Sequence, residues 1–264
     1  NYVAWNWNAG DTDGKTYTVK VVSDSGNKYR FDNFGTSAVT LDLAEGGTYI
    51  FNMDDASNAT HPFSIGTAAN GTVYTSGITY FLDGVSKTYS EYTSGFAAAT
   101  TRRLHITVPA SAPVLYYWCS VHSGMGGQIN TNSSLGSSNF DGSILSVAKA
   151  NTTAGFSIVT YTGTSASTAT IGHGLGVTPN VIIVRERDDT SQWAYFQTQL
   201  GFGNKLNLDL NSVSGGSSLM NSTAPTSTVF TVKNTSSGDV LNNGGLFIAY
   251  CFSEVAGYSK FGSY

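Results

Sequence analysis

Cys119, His122 and Met125 fall within one short loop, and His61 lies far upstream at the head of an apolar run. Thiolate, two imidazoles and a thioether are the donor set of a mononuclear copper site. A His2Cys plane with a weak, long axial thioether suits copper better than zinc or iron. The loop reads Tyr116-Tyr117-Trp118-Cys119-Ser120-Val121-His122-Ser123-Gly124-Met125-Gly126-Gly127, a hydrophobic strand running into a glycine-rich turn. That spacing lets three donors converge from one side, while His61 must arrive from a neighbouring strand. Taken singly, each residue has a plainer reading: a cysteine at a strand end is usually a small buried hydrophobe, and Met125 could simply fill a gap. Only their joint arrangement points to a metal.

Other chemistry has less support. Gly172-His173-Gly174-Leu175-Gly176 precedes a strand instead of following one into a helix, so a phosphate cradle is not expected, and His173 reads as structural. Cys251 sits in Leu246-Phe247-Ile248-Ala249-Tyr250-Cys251-Phe252 and reads as core; two cysteines so far apart make no disulfide framework. Arg185 to Asp189 reads as a solvated hairpin tip. Asp54-Asp55 lacks the oxygen ladder of a calcium loop. The four histidines include no His-x-His pair, and no Gly-x-Ser-x-Gly elbow appears, so the chain is not expected to be an enzyme.

The elements that must position these groups read as strands throughout. Charged residues make up 11% of the 264, well under the usual quarter or so, while aromatics reach 12% and apolar runs recur, which excludes disorder. This is the composition of an all-β protein wetted by hydroxyls and amides, as on extracellular and virion proteins. A net charge of −4 gives no basic stripe for nucleic acid, and no apolar run approaches the roughly 18 residues of a membrane span. Strand alternation is clear in Thr16 to Val22, Lys28 to Phe31, Ala38 to Leu43, Thr48 to Met53, His61 to Ile65, Leu104 to Val108 and Val114 to Cys119. The stretch from Gly66 to Thr101 reads as looser and polar, and His105 as a surface residue. A second β-rich set runs from Phe156 to Phe252, at a spacing that suggests a sandwich or barrel.

The organisation expected is therefore residues 1–12 as the end of a preceding module or linker strand, 13–131 as one domain, 132–152 as a linker, 153–255 as a second antiparallel β-sandwich, and 256–264 as the start of a further module or a tail. Tyr2-Val3-Ala4-Trp5-Asn6-Trp7-Asn8 reads as the last strand of something earlier. Ala154-Gly155-Phe156-Ser157 and Ala256-Gly257-Tyr258-Ser259 look like recurring module starts, so a segment of a longer tandem protein is expected.

Tyr29 to Thr131, with Thr60-His61-Pro62-Phe63 and the Cys119/His122/Met125 loop, resembles the cupredoxin family of plastocyanin-like copper proteins. The resemblance implies a Greek-key β-sandwich in which His61, Cys119, His122 and Met125 hold copper for one-electron transfer. One departure is the separation of His122 from Met125 by two residues, fewer than in many plastocyanins. Across nearly the whole chain, Val3-Ala4-Trp5-Asn6-Trp7-Asn8-Ala9-Gly10, the Tyr116 to Gly127 loop and Gly172-His173-Gly174-Leu175-Gly176-Val177-Thr178-Pro179 resemble modular virion proteins of marine bacteriophages, including cyanophages. That resemblance implies a tail-fibre or virion-surface protein, located on the virion or outside the cell. It would be a homo-oligomer among other virion proteins, with a host glycan or receptor as a further partner and Trp193-Ala194-Tyr195-Phe196 as a candidate contact. The alternatives are a blue-copper electron carrier with an appended β-sandwich, or a carbohydrate-binding or enzymatic module whose active residues the sequence does not disclose.

Overall fold

The computed structural model describes residues 6–10, 14–131, 136–190, 193–208, 213–214, 218–235 and 241–262. The chain is all-β and divides into two compact units, Thr12–Ser137 and Ser138–Tyr264 with Asn1–Asp11.

In the first unit the strands are β1 (Gly14–Ser23), β2 (Asn27–Phe31), β3 (Leu41–Asp42), β4 (Thr48–Asn52), β5 (Phe63–Gly66), β6 (Ile78–Leu82), β7 (Val85–Lys87), β8 (Arg102–Thr107), β9 (Leu115–Cys119) and β10 (Gly127–Asn130), with the α-helix α1 (Tyr89–Gly95). They form a six-stranded sheet ordered β2-β1-β4-β8-β6-β7 and a four-stranded sheet ordered β3-β10-β9-β5. Alternation puts Phe31 and Phe51 on the inner face of the first sheet, and Phe63 and Tyr117 on that of the second. Their rings meet between the sheets: Phe51 stacks on Phe63 at 4.9 Å, and Phe31 lies edge-on to Tyr117 at 5.2 Å. All four are buried, and each such ring contributes about 1.5–3 kcal/mol of transfer free energy relative to exposure. This aromatic layer holds the two sheets of a β-sandwich together.

The stretch expected to be loose, Gly66 to Thr101, contains the β6–β7 hairpin and α1. Asp83 and Gly84 turn the hairpin at φ values of 48° and 77°, the left-handed pair that a two-residue Asp-Gly loop adopts. Thr88 caps α1 by accepting from the Glu91 N–H, and Glu91 accepts from the Thr88 N–H in return, a full capping box. His105 does lie opposite Leu104 and Ile106, but it is half-buried against the Phe81 ring at 4.6 Å.

The second unit holds β11 (Ser137–Asn139), β12 (Ser146–Asn151), β13 (Phe156–Thr162), β14 (Thr168–Gly172), β15 (Val181–Glu186), β16 (Ala194–Gln197), β17 (Lys205–Asn207), β18 (Val213–Ser214), β19 (Val229–Lys233) and β20 (Leu246–Phe252). Eight of these form one sheet, β11-β12-β13-β20-β15-β16-β17-β18, while β14 and β19 pair separately. The main core lies on one face of the large sheet, around Val159, Tyr161, Ile182, Val184, Phe230 and Phe247.

Residues 132–152 were expected to be a linker. Within that range, β12 pairs along its length with β13, and the polar side chains of Ser138 and Asn139 are buried. Polar composition hid these strands because their side chains are absorbed by loop hydrogen bonds, such as Asn139 Oδ1 accepting from the Asp141 N–H at 2.9 Å. Residues 1–5, on which most of the expected N-terminal strand falls, lie outside the described residues. Trp7 packs against Phe252 at 5.2 Å, within the second unit. Glu186 is likewise no part of a solvated tip: it is buried, and its carboxylate accepts from Asn243 Nδ2 at 2.8 Å.

Candidate metal centre

β5 and β9 are antiparallel neighbours with Phe63 opposite Cys119. That register sets the end of β9 beside the start of β5, and so beside His61 two residues upstream. The Ser120 N–H donates to the Pro62 carbonyl at 3.0 Å and extends the pairing past the thiol. His61 is fixed from its other side by a short turn. Asp55 caps the 3-10 helix Ala56–Asn58, the buried Asn58 amide donates to the Val19 carbonyl at 2.8 Å, and the Asn58 carbonyl accepts from the His61 N–H at 2.8 Å.

The loop after β9 folds back over the thiol. The His122 N–H points at Cys119 Sγ at 3.4 Å, a turn closed on sulfur. Gly126 is required where the loop returns, since a Cβ there would lie 1.6 Å from the Tyr117 carbonyl oxygen. Met125 is buried in this loop, and its carbonyl accepts from the Tyr29 N–H at 2.9 Å.

His61, Cys119 and His122 are brought together as the sequence reading required. Nδ1 of His61 and Nδ1 of His122 each stand 3.7 Å from Cys119 Sγ, and the ligand atoms of all three lie within 4.8 Å of one another. The group could hold a metal ion. At metal–nitrogen and metal–sulfur lengths of about 2.0 and 2.3 Å, a trigonal ligand pair needs an edge of about 3.7 Å, and a tetrahedral pair about 3.5 Å. Both thiol-to-imidazole distances are of the length that ligands of one ion require. Cys119 is a free thiol and, like His61, buried, whereas His122 is exposed. Desolvation, then the neighbouring His122, lowers the pKa of His61, so its ring nitrogen stays available as a donor to metal near neutral pH.

The remaining candidates are structural. His173 is fully buried; its Nδ1 accepts from the Leu175 N–H at 3.2 Å, and Nε2 is 3.3 Å from the Thr226 carbonyl. Cys251 lies in the second unit's core, where burial pushes its thiol up to about 12. Asp54 accepts from Arg103 and from the Arg102 N–H, and Asp55 is the cap already described. Two residues that bond to the backbone of the ligand segments carry no local signal in the sequence: Asn58 lies in a polar stretch before His61, and Tyr29 is one position of an alternating strand.

Trp193 lines an open groove of about 460 Å³ on the second unit, with Trp7, Phe156, Ile183, Tyr250 and Phe252. Tyr195 shares this outer face, whereas Phe196 points into the core. Among the described residues no helix is long and apolar enough to cross a membrane.

The family described as Domain of unknown function (DUF7483) matches residues 129–264. No curated protein matches the chain.

Proposed function

The chain belongs to the DUF7483 family, whose match leaves most of the first unit outside it, and we propose that it is a structural or adhesive component of a phage virion, of the tail-fibre or virion-surface kind. In this reading the first unit is a cupredoxin-like module in which His61, Cys119, His122 and Met125 would hold one copper ion. The observation that carries the copper reading is the pair of 3.7 Å edges joining the thiol to two imidazole nitrogens. One soft thiolate with two imidazoles is a donor set that suits copper, and the buried Met125 of the same loop is the candidate fourth donor. Support for the virion reading comes from the low charge, the hydroxyl- and amide-rich surface, the tandem β units and the sequence resemblance. The aromatic groove beside Trp193 is the surface through which adhesion to a glycan would act, and assembly as a homo-oligomer belongs to the same reading.

Copper so held supplies reversible one-electron chemistry and, by binding only the native fold, adds stability of about 4 kcal/mol at a thousandfold excess over Kd. The chain's own contribution is to bury the thiol, keep His61 unprotonated and leave His122 at the surface. That exposed imidazole also favours the second reading, an electron-transfer protein with an appended β-sandwich. The deciding measurement is the visible spectrum of the chain with Cu(II), beside Cys119→Ala. An intense red-end band lost in the variant establishes a thiolate–copper bond; absence of the band removes the copper reading. Cys119→Ser should then melt lower than wild type in saturating copper with assembly unchanged, and an unchanged melting temperature would remove the stabilising role. Labelling of purified virions by antibody to the chain tests location, and unlabelled particles would overturn it.

A further inference from the structure

Tyr29 stands where the separate parts of this site meet. Its hydroxyl donates to the His61 carbonyl at 2.9 Å, and its backbone N–H donates to the Met125 carbonyl at 2.9 Å. The same hydroxyl faces the Cys119 thiol. Next to it, the Lys28 ammonium donates to the Gly124 carbonyl. Pairing of β2 with β1, Val21 opposite Tyr29 and Val22 opposite Lys28, fixes where this dipeptide lies. One dipeptide therefore grips both the turn that delivers His61 and the loop that delivers His122 and Met125.

The ring is fully buried, edge-on to Phe63 at 5.1 Å and tilted against Tyr117 at 6.3 Å. Placing a phenol there costs free energy unless it is hydrogen-bonded, and its bond goes to the backbone of a ligand residue.

We propose that Tyr29 is a positioning residue for the metal centre, tying the His61 and Met125 backbones to one point so that the ligand triangle is set before metal arrives. This rests on the metal reading above. Partners of this kind, one step out from the ligands, typically change metal affinity by about 10–100-fold when removed.

The test is Tyr29→Phe in the full chain, titrated with Cu(II) against a competing chelator and followed by the thiolate–copper absorption. Tyr49→Phe is the matched control: its ring is fully buried in the same unit, and its hydroxyl accepts from the Ala44 N–H at 2.8 Å, outside both ligand segments. Tyr29→Phe should weaken copper binding about tenfold or more and shift the band, while Tyr49→Phe leaves both unchanged. Equal affinity and equal spectra in the two variants would overturn the proposal while the site itself stood. No band in the wild-type chain would overturn the copper reading and this inference together. Should Tyr29→Phe fail to fold, Lys28→Gln cuts the Gly124 bond from an exposed side chain. Its weaker binding would support the clamp, and unaltered binding would overturn it.

Discussion

Alanine at position 126 should separate the ligand loop from the strand that carries the thiol. A Cβ on Gly126 would lie 1.6 Å from the Tyr117 oxygen, 2.6 Å from the Tyr117 carbonyl carbon and 3.0 Å from the Trp118 Cα. Carbon–oxygen contacts settle near about 3.3 Å, so something must move by about 1.7 Å. Every atom met is backbone of β9, and no side chain can swing aside. The movement therefore falls on the Gly127–Tyr117 pairing of β10 with β9 and on the loop holding His122 and Met125. Overpacking of this kind costs about 1–3 kcal/mol, and a backbone obstacle puts Gly126→Ala at the upper end. For a unit of this size each kcal/mol is worth roughly 4 °C, so the first unit's transition should fall by on the order of 10 °C. A displacement of about 1.7 Å also breaks a ligand set whose two thiol-to-imidazole distances are 3.7 Å, and copper affinity should drop by about 100-fold. Gly124→Ala is the comparison. That residue has φ 75° with only Lys28 Nζ at 3.9 Å, so alanine costs about 1–2 kcal/mol of left-handed strain and leaves the triangle standing. The assay is thermal unfolding by near-ultraviolet circular dichroism, paired with copper titration. If Gly126→Ala melts within about 2 °C of wild type and binds copper equally well, the steric argument is wrong.

Acid should weaken the second unit through His173. Desolvation lowers its pKa below the 6.5 of the free side chain, so the folded state holds it neutral while the unfolded state takes up a proton. Its stabilising contribution is complete above about pH 6.5 and declines as pH falls toward the folded value, by up to about 1.4 kcal/mol per pH unit. Urea unfolding from pH 7.5 to 5 should show this slope, and its persistence in His173→Gln would assign it elsewhere. Cys251, with its thiol pushed up to about 12, should resist alkylation in the native chain at pH 8 and react on unfolding; native labelling seen by mass spectrometry would contradict its burial. Trp193→Ala opens the aromatic groove and should abolish fluorescence-detected binding of neutral oligosaccharides. Equal binding by the variant, or none by wild type, removes the adhesive role of that surface.

Much of the site was legible in the order of residues. Cys119, His122 and Met125 lie in one loop, and the softness of their donor atoms depends on residue type alone. Alternation of apolar and polar positions disclosed the strands that carry Phe51, Phe63 and Tyr117, because a half-buried strand enforces a period of two. The Asp83-Gly84 turn and the Thr88/Glu91 box were also written in the chain, as local signals of β6–β7 and α1 inside a stretch read as loose. Other features had no local signal. The 3.7 Å edges depend on Phe63 pairing with Cys119 across a gap of 56 residues of sequence, and pairing over such separations is decided by packing of the whole sandwich. The burial of Ser138 and Asn139 in the second unit, against their polar character, depends on partners that only folding supplies. Tyr29 makes the same point most sharply. As a residue it is one aromatic position on a strand, and only the closed structure turns its hydroxyl toward the backbone of His61. Donor chemistry is a property of side chains and survives in the sequence. Convergence is a property of long-range packing, which the free energy of the folded chain alone decides.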